Sequence, residues 1–106
     1  MRRMPIRFDN YAKKVGTRRQ RDREYGWFRW RVYVAEDALV LDRIEYVDYV
    51  LHPSFVDPSR RVADRASAFA LEAEGWGSFK IYGTVHLRDG RDEDFEYYLD
   101  LGKGWP

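Results

Sequence analysis

His52 precedes Ser54 by two residues, which places an imidazole and a hydroxyl within reach of each other on one short loop. Such a pair suggests nucleophilic hydrolysis, with the imidazole as base. That chemistry also needs an orienting acid, an oxyanion hole and a sharp strand-to-helix elbow for the serine. No elbow sequence surrounds Ser54. His86 falls on the outward phase of an alternating run and is expected to be solvated. The acids Asp92, Glu93 and Asp94 lie beside a turn and read as solvent-facing, whereas glycoside cleavage needs carboxylates placed across a cleft. Two histidines and no cysteine offer no spaced metal-ligand set. The expectation is a protein with no catalytic residue, no metal and no cofactor.

Composition points to binding instead. A chain of 106 residues has room for one core and no second. It carries four tryptophans, eight tyrosines and six phenylalanines, too many rings for so small an interior. Some are expected on a binding surface, where broad apolar rings with polar tips are favoured. The absence of cysteine fits a reducing cytoplasm. No run is long enough to span a membrane and no signal-peptide core opens the chain, so the expected location is cytoplasmic, with no membrane partner.

Charge is unevenly spread. Residues 1–24 hold nine basic and three acidic side chains, and residues 25–106 hold ten basic and fifteen acidic ones. The first segment is read as a basic strand and loop belonging to the same domain, and 25–106 as the domain's core. Its Arg-rich stretch, Arg18 to Arg23, raises nucleic-acid binding as an alternative, although DNA modules usually spread positive charge over a whole face.

The elements that must position any site alternate with a period of two. Ile6 and Phe8 mark a first strand, followed by an expected loop from Gly16 to Arg23. Phe28, Trp30, Val32 and Val34 alternate with Arg29, Arg31 and Tyr33. Val47, Tyr49 and Leu51 form a third run, and Ile44, out of phase with it, predicts a bulge near Glu45. Pro53 and Pro58 delimit a loop. Residues 63–73 favour a strand over a short helix, with Phe69 and Leu71 in alternation. Phe79, Ile81, Val85 and Leu87 follow, then a two-residue hairpin at Asp89-Gly90, then Phe95, Tyr97, Leu99 and Leu101. The fold class expected is an all-β, immunoglobulin-like β-sandwich of about seven or eight antiparallel strands.

Two loop motifs stand at strand ends, Leu51-His52-Pro53-Ser54-Phe55 and Gly75-Trp76-Gly77-Ser78-Phe79. With Trp30-Arg31-Val32-Tyr33-Val34 before them and Phe95-Glu96-Tyr97-Tyr98-Leu99 after them, they resemble the YEATS domain family, from about Tyr25 to Leu101. The short loops look more like its prokaryotic branch. The resemblance implies a non-catalytic reader of acylated lysine, in which two rings sandwich a flat acyl amide. Phe55 and Trp76 match those rings, Ser54 the hydroxyl that bonds the amide, and His52 the histidine that shapes the loop. The Trp76 main-chain N–H would serve the acyl carbonyl, Gly77 would let the ligand approach closely, and Gly75 and Ser78 complete that loop. Family members often carry a further aromatic where this chain has Gly26, so Tyr25 or Trp27 stands in as a third wall, or the wall is missing. An acidic residue that contacts the basic flank in histone readers is replaced by Tyr98. The partner implied is an acylated protein or a small planar ligand. The other readings are a structural or protein-docking sandwich without a working pocket, Phe55 being a plug and Gly75 and Gly77 mere turn residues, and nucleic-acid binding through the Arg-rich segment.

Overall fold

The structure is a computed structural model that describes residues 5–106. Residues 1–4, which include the first two arginines of the basic segment, lie outside the described residues. Seven strands alternate with short connections: β1 (Phe8–Gln20), β2 (Arg23–Val34), a four-residue helix α1 (Ala38–Leu41), β3 (Ile44–Val50), β4 (Ser59–Val62), a 3₁₀ turn (Arg65–Ser67), β5 (Leu71–Gly75), β6 (Lys80–Leu87) and β7 (Asp92–Tyr98). They form a three-stranded sheet, β1-β2-β5, and a four-stranded sheet, β4-β3-β6-β7, with every strand pair antiparallel. This is the immunoglobulin-like sandwich that the alternation predicts.

The core follows the same alternation. Trp30, Val32 and Val34 of β2 are buried with Ile44, Val47 and Tyr49 of β3, and with Ile81, Val85 and Leu87 of β6. Each aliphatic side chain so removed from water contributes about 2 kcal/mol. The pairing of β3 with β6 slips between Ile44 and Tyr46, leaving Glu45 as the extra residue. That bulge lets Ile44 and Val47, three positions apart, face the same interior. Asn10, a buried polar residue, anchors the C-terminal segment to β1: its side-chain amide donates to the Asp100 carbonyl at 2.9 Å and its oxygen accepts the Asp100 N–H at 3.0 Å.

Three expected local features differ. The supposed loop from Gly16 to Arg23 is instead strand: past a register shift between Lys14 and Gly16, β1 and β2 stay paired to Gln20 opposite Arg23, closed by Arg21 and Asp22, with Arg21 at φ +58°. Because β5 pairs only with Phe28 to Val32, the outer part of this hairpin has no third strand, and it helps give the molecule its 53 Å length. Residues 63–70 are not a strand. The 3₁₀ turn leads to Ala68 and Phe69, both left-handed at φ +60° and +56°. Ala68 accepts the Val34 N–H at 3.0 Å and Phe69 accepts the Tyr49 hydroxyl at 2.6 Å, so partners on both sheets hold the turn. The hairpin after β6 has a three-residue loop. Gly90 N–H bonds to the Leu87 carbonyl and Leu87 pairs with Arg91, with Gly90 at φ +91° taking the position where a side chain would be strained.

Candidate ligand slot between two loops

The His52-Pro53-Ser54-Phe55 segment is a β-turn. The Phe55 N–H bonds to the His52 carbonyl at 3.0 Å, and Pro53 occupies the second position, for which its fixed φ is suited. The Leu51 N–H closes the loop on the Pro58 carbonyl at 2.8 Å, and Arg60 clasps it further through the carbonyls of Val56 and Asp57. Ser54 is thereby held with its hydroxyl 2.8 Å from His52 Nδ1, which also accepts the Ser54 N–H at 3.1 Å.

Across from this turn, β5 ends at Gly75 and the chain passes through Trp76, Gly77 and Ser78 before Phe79 leads into β6. The two loops enclose an open cavity of about 420 Å³. His52, Ser54, Phe55, Gly75, Trp76, Gly77 and Ser78 all line it, and Trp27 of β2 adds a further ring. Tyr25 stands outside the lining, its ring 5.0 Å from that of Trp76 at 44°. Of the two residues flanking Gly26, Trp27 lines the cavity and Tyr25 does not, touching the Trp76 ring instead.

The two principal rings differ in support. Trp76 is 59% exposed. Phe55 is half-buried, edge-on to Trp30 at 6.3 Å and tilted on Phe79 at 5.4 Å, so it plugs the core and lines the cavity at once. Neither Gly75 nor Gly77 has a positive φ, so neither is there to supply a left-handed turn position. A side chain at Gly75 would meet the Phe55 ring at 3.6 Å, while one at Gly77 would meet nothing within 4 Å. Gly77 thus presents bare backbone to open space.

Three lining residues escaped the sequence reading: Val56, Glu74 and Phe79. Phe79 sits one residue before β6, packed against the core, a position that reads as core. Glu74 brings a carboxylate to the rim, but its oxygens are engaged: Trp27 Nε1 donates to one at 3.0 Å and Arg29 donates twice to the other at 3.0 and 3.2 Å. Arg29, and after it the Trp27 N–H, hold the Glu74 carboxyl below the usual carboxylate range. The slot is thus largely apolar-walled, with the Ser54 and Ser78 hydroxyls, the His52 imidazole and one acid already paired with Arg29.

His86, expected in solvent, is half-buried on the outer face of the other sheet. It lies between two carboxylates, 3.0 Å from Asp48 and 2.6 Å from Asp92. Among the described residues no group of three or more His, Cys, Asp and Glu is arranged to hold a metal ion. No helix among them is long and apolar enough to cross a membrane.

The prokaryotic YEATS domain model matches residues 28–100, and the chain belongs to that family. Among curated proteins, transcription initiation factor TFIID subunit 14 of Schizosaccharomyces pombe is 36% identical over 64 residues, which is 59% of this chain and 24% of that protein. The chain therefore corresponds to about a quarter of that relative. Among solved structures, the yeast AF-9 homolog protein Yaf9 aligns over 89% of this chain and 68% of its own, at 25% identity and a TM-score of 0.67. The Yaf9 YEATS domain recognizing an H3K122suc peptide aligns over 96% and 80%, at 24% identity and a TM-score of 0.66. The same domain bound to H3K27ac aligns over 95% and 79%, at 22% and 0.63, a likeness of fold.

Proposed function

We propose that this domain is a non-catalytic reader that binds an acylated lysine, or a similar planar amide, in the slot between Phe55 and Trp76. The observation that carries this reading is the convergence of both loop motifs on one open cavity, with the Ser54 hydroxyl at its edge. An acyl-lysine amide is flat and neutral, with one donor and one acceptor on its edges. Aromatic faces suit its plane, and a hydroxyl and a backbone N–H suit its edges.

The His52–Ser54 contact supplies the polarity. Nδ1 accepts the Ser54 N–H, so it carries no proton, and the hydroxyl 2.8 Å away must donate to it as well. The serine oxygen is left as an acceptor for the ligand's amide N–H. The Trp76 main-chain N–H serves the acyl carbonyl, and the open backbone at Gly77 admits the chain beyond it. Unmodified lysine is disfavoured, because its ammonium would shed water among rings while the one nearby carboxylate, Glu74, is already satisfied by Arg29 and Trp27. The yeast neighbours, recognizing H3K122suc and bound to H3K27ac, favour an acylated protein as ligand.

The test is isothermal titration of the full chain with one peptide sequence carrying unmodified, acetyl-, propionyl-, crotonyl- or succinyl-lysine. At least one acylated form is expected to bind ten-fold or more (about 1.4 kcal/mol) tighter than the unmodified peptide. Equal affinity for acylated and unmodified forms contradicts the reading.

A further inference from the structure

The basic segment is a projecting arm that begins at the rim of the slot. From Lys13 to Glu24 every residue is exposed, and the segment holds Lys13, Lys14, Arg18, Arg19, Arg21 and Arg23 against Asp22 and Glu24. Elsewhere most cations are paired: Arg7, Arg29, Arg31, Arg61, Arg65, Arg91, Lys80 and Lys103 each form an ion pair with a carboxylate. None of the six arm cations does so among the described residues. The register sets their direction. Arg18 pairs with Tyr25, and residues directly opposite across a ladder share a face, as do residues two apart on one strand. Arg18, Arg23, Tyr25 and Trp27 therefore lie on one face of the arm. The Arg18 guanidinium sits 4.8 Å over the Trp27 ring, and Trp27 lines the slot.

We infer that this face is a second subsite for anionic side chains flanking the acylated lysine, so that the preferred ligand is an acidic peptide. This rests on the slot reading given above. Arg18 stands where the slot ends, and three residues further along the strand Arg21 marks the tip, a span of about 10 Å. Carboxylates or phosphates two to four residues from the acylated position would lie along Arg18, Arg23 and Arg21 in turn. A nucleic-acid partner fits less well, because the cations form a narrow ribbon, while residues 25–106 carry fifteen acids against ten bases. A guanidinium held over a ring can still bind a carboxylate or phosphate in a bidentate fork.

The test uses the full chain and three peptides carrying the acyl group bound tightest in the panel above, with acidic, neutral or basic residues at the four positions on each side. The acidic-flank peptide is expected to bind about ten-fold tighter than the neutral one at low salt, as a few exposed charge pairs allow, and the advantage should shrink toward 1 M salt. The double variant Arg18→Gln, Arg23→Gln should lose most of the acidic-flank advantage. Equal binding of all three peptides overturns this inference and leaves the slot reading standing. No binding by any acylated peptide overturns both. Tighter, salt-sensitive binding to a single-stranded or duplex oligonucleotide assigns the arm to nucleic acid and overturns the inference. If the double variant leaves peptide binding untouched but self-associates, the cations only guard an open sheet edge, and the inference is likewise overturned.

Discussion

His52 Nδ1 accepts the main-chain N–H of Ser54, two residues on, and lies 2.8 Å from its hydroxyl, a contact at the candidate slot's polar edge. A free serine hydroxyl would rotate between donor and acceptor roles. In the proposed arrangement its proton goes to the imidazole, so a ligand meets lone pairs.

Ser54→Ala should therefore weaken acyl-peptide binding by about 1 kcal/mol, the scale of one neutral hydrogen bond. His52→Ala should cost a similar amount in the native background and almost nothing further in the Ser54→Ala background. Titration calorimetry on the four proteins of this double-mutant cycle measures the coupling. Strict additivity would mean that His52 acts on the ligand by another route.

Gly83 on β6 holds the four-stranded sheet together by having no side chain. A Cβ there would collide with the Asp48 carbonyl oxygen and lie 2.6 Å from the Phe95 ring. The first neighbour is backbone and cannot swing away. Gly83→Ala should lower stability by about 2 kcal/mol or more, read as a fall in the urea midpoint with little change in slope.

Acid should loosen the fold in a definite window. Asp48 is held below the usual carboxylate range chiefly by Arg61, whose guanidinium bonds both its oxygens, and further by His86. Asp9 is lowered mainly by Lys103, and Glu36 by the Arg7 main-chain N–H. As pH falls below about 4, the unfolded chain takes up protons on these groups before the folded chain does. Their contribution is present above that pH and is lost as pH falls through the folded values. Urea midpoints measured from pH 7 to pH 2 should decline most steeply at the acid end. Arg61→Gln should flatten part of that decline; an unchanged profile would show that the Asp48 pair contributes nothing.

The sandwich was legible where one face meets the core and the other meets water. Phe28 to Val34 and Phe79 to Leu87 alternate for that reason, and the out-of-phase Ile44 marked its bulge. The projecting arm was not legible, because from Lys13 to Glu24 both faces meet water and leave no period-two signal. Its turn, at Arg21 and Asp22, also lacks the glycine that announces a tight hairpin. Phe69 read as strand because its burial resembles a strand residue's, whereas the left-handed backbone of Ala68 and Phe69 meets Val34 and Tyr49, distant in sequence. In the slot, the loop motifs named most of the lining directly. Glu74 and the role of Trp27 come from cross-strand pairing with β2, which spacing along one strand cannot convey. His86 likewise meets Asp48 and Asp92 only through neighbouring strands.

Trp76→Ala tests the central claim most directly. The ring is 59% exposed and rests against Tyr25, outside the core, so the far-ultraviolet circular dichroism and urea midpoint should stay near those of the native protein. Titration of the isotope-labelled native chain with the best acylated peptide should move the Trp76 indole and Ser54 amide resonances. In Trp76→Ala the same peptide should lose about 2 kcal/mol of binding or more, as removal of a central aromatic anchor does. A folded Trp76→Ala protein that binds the acylated peptide with native affinity would contradict the account.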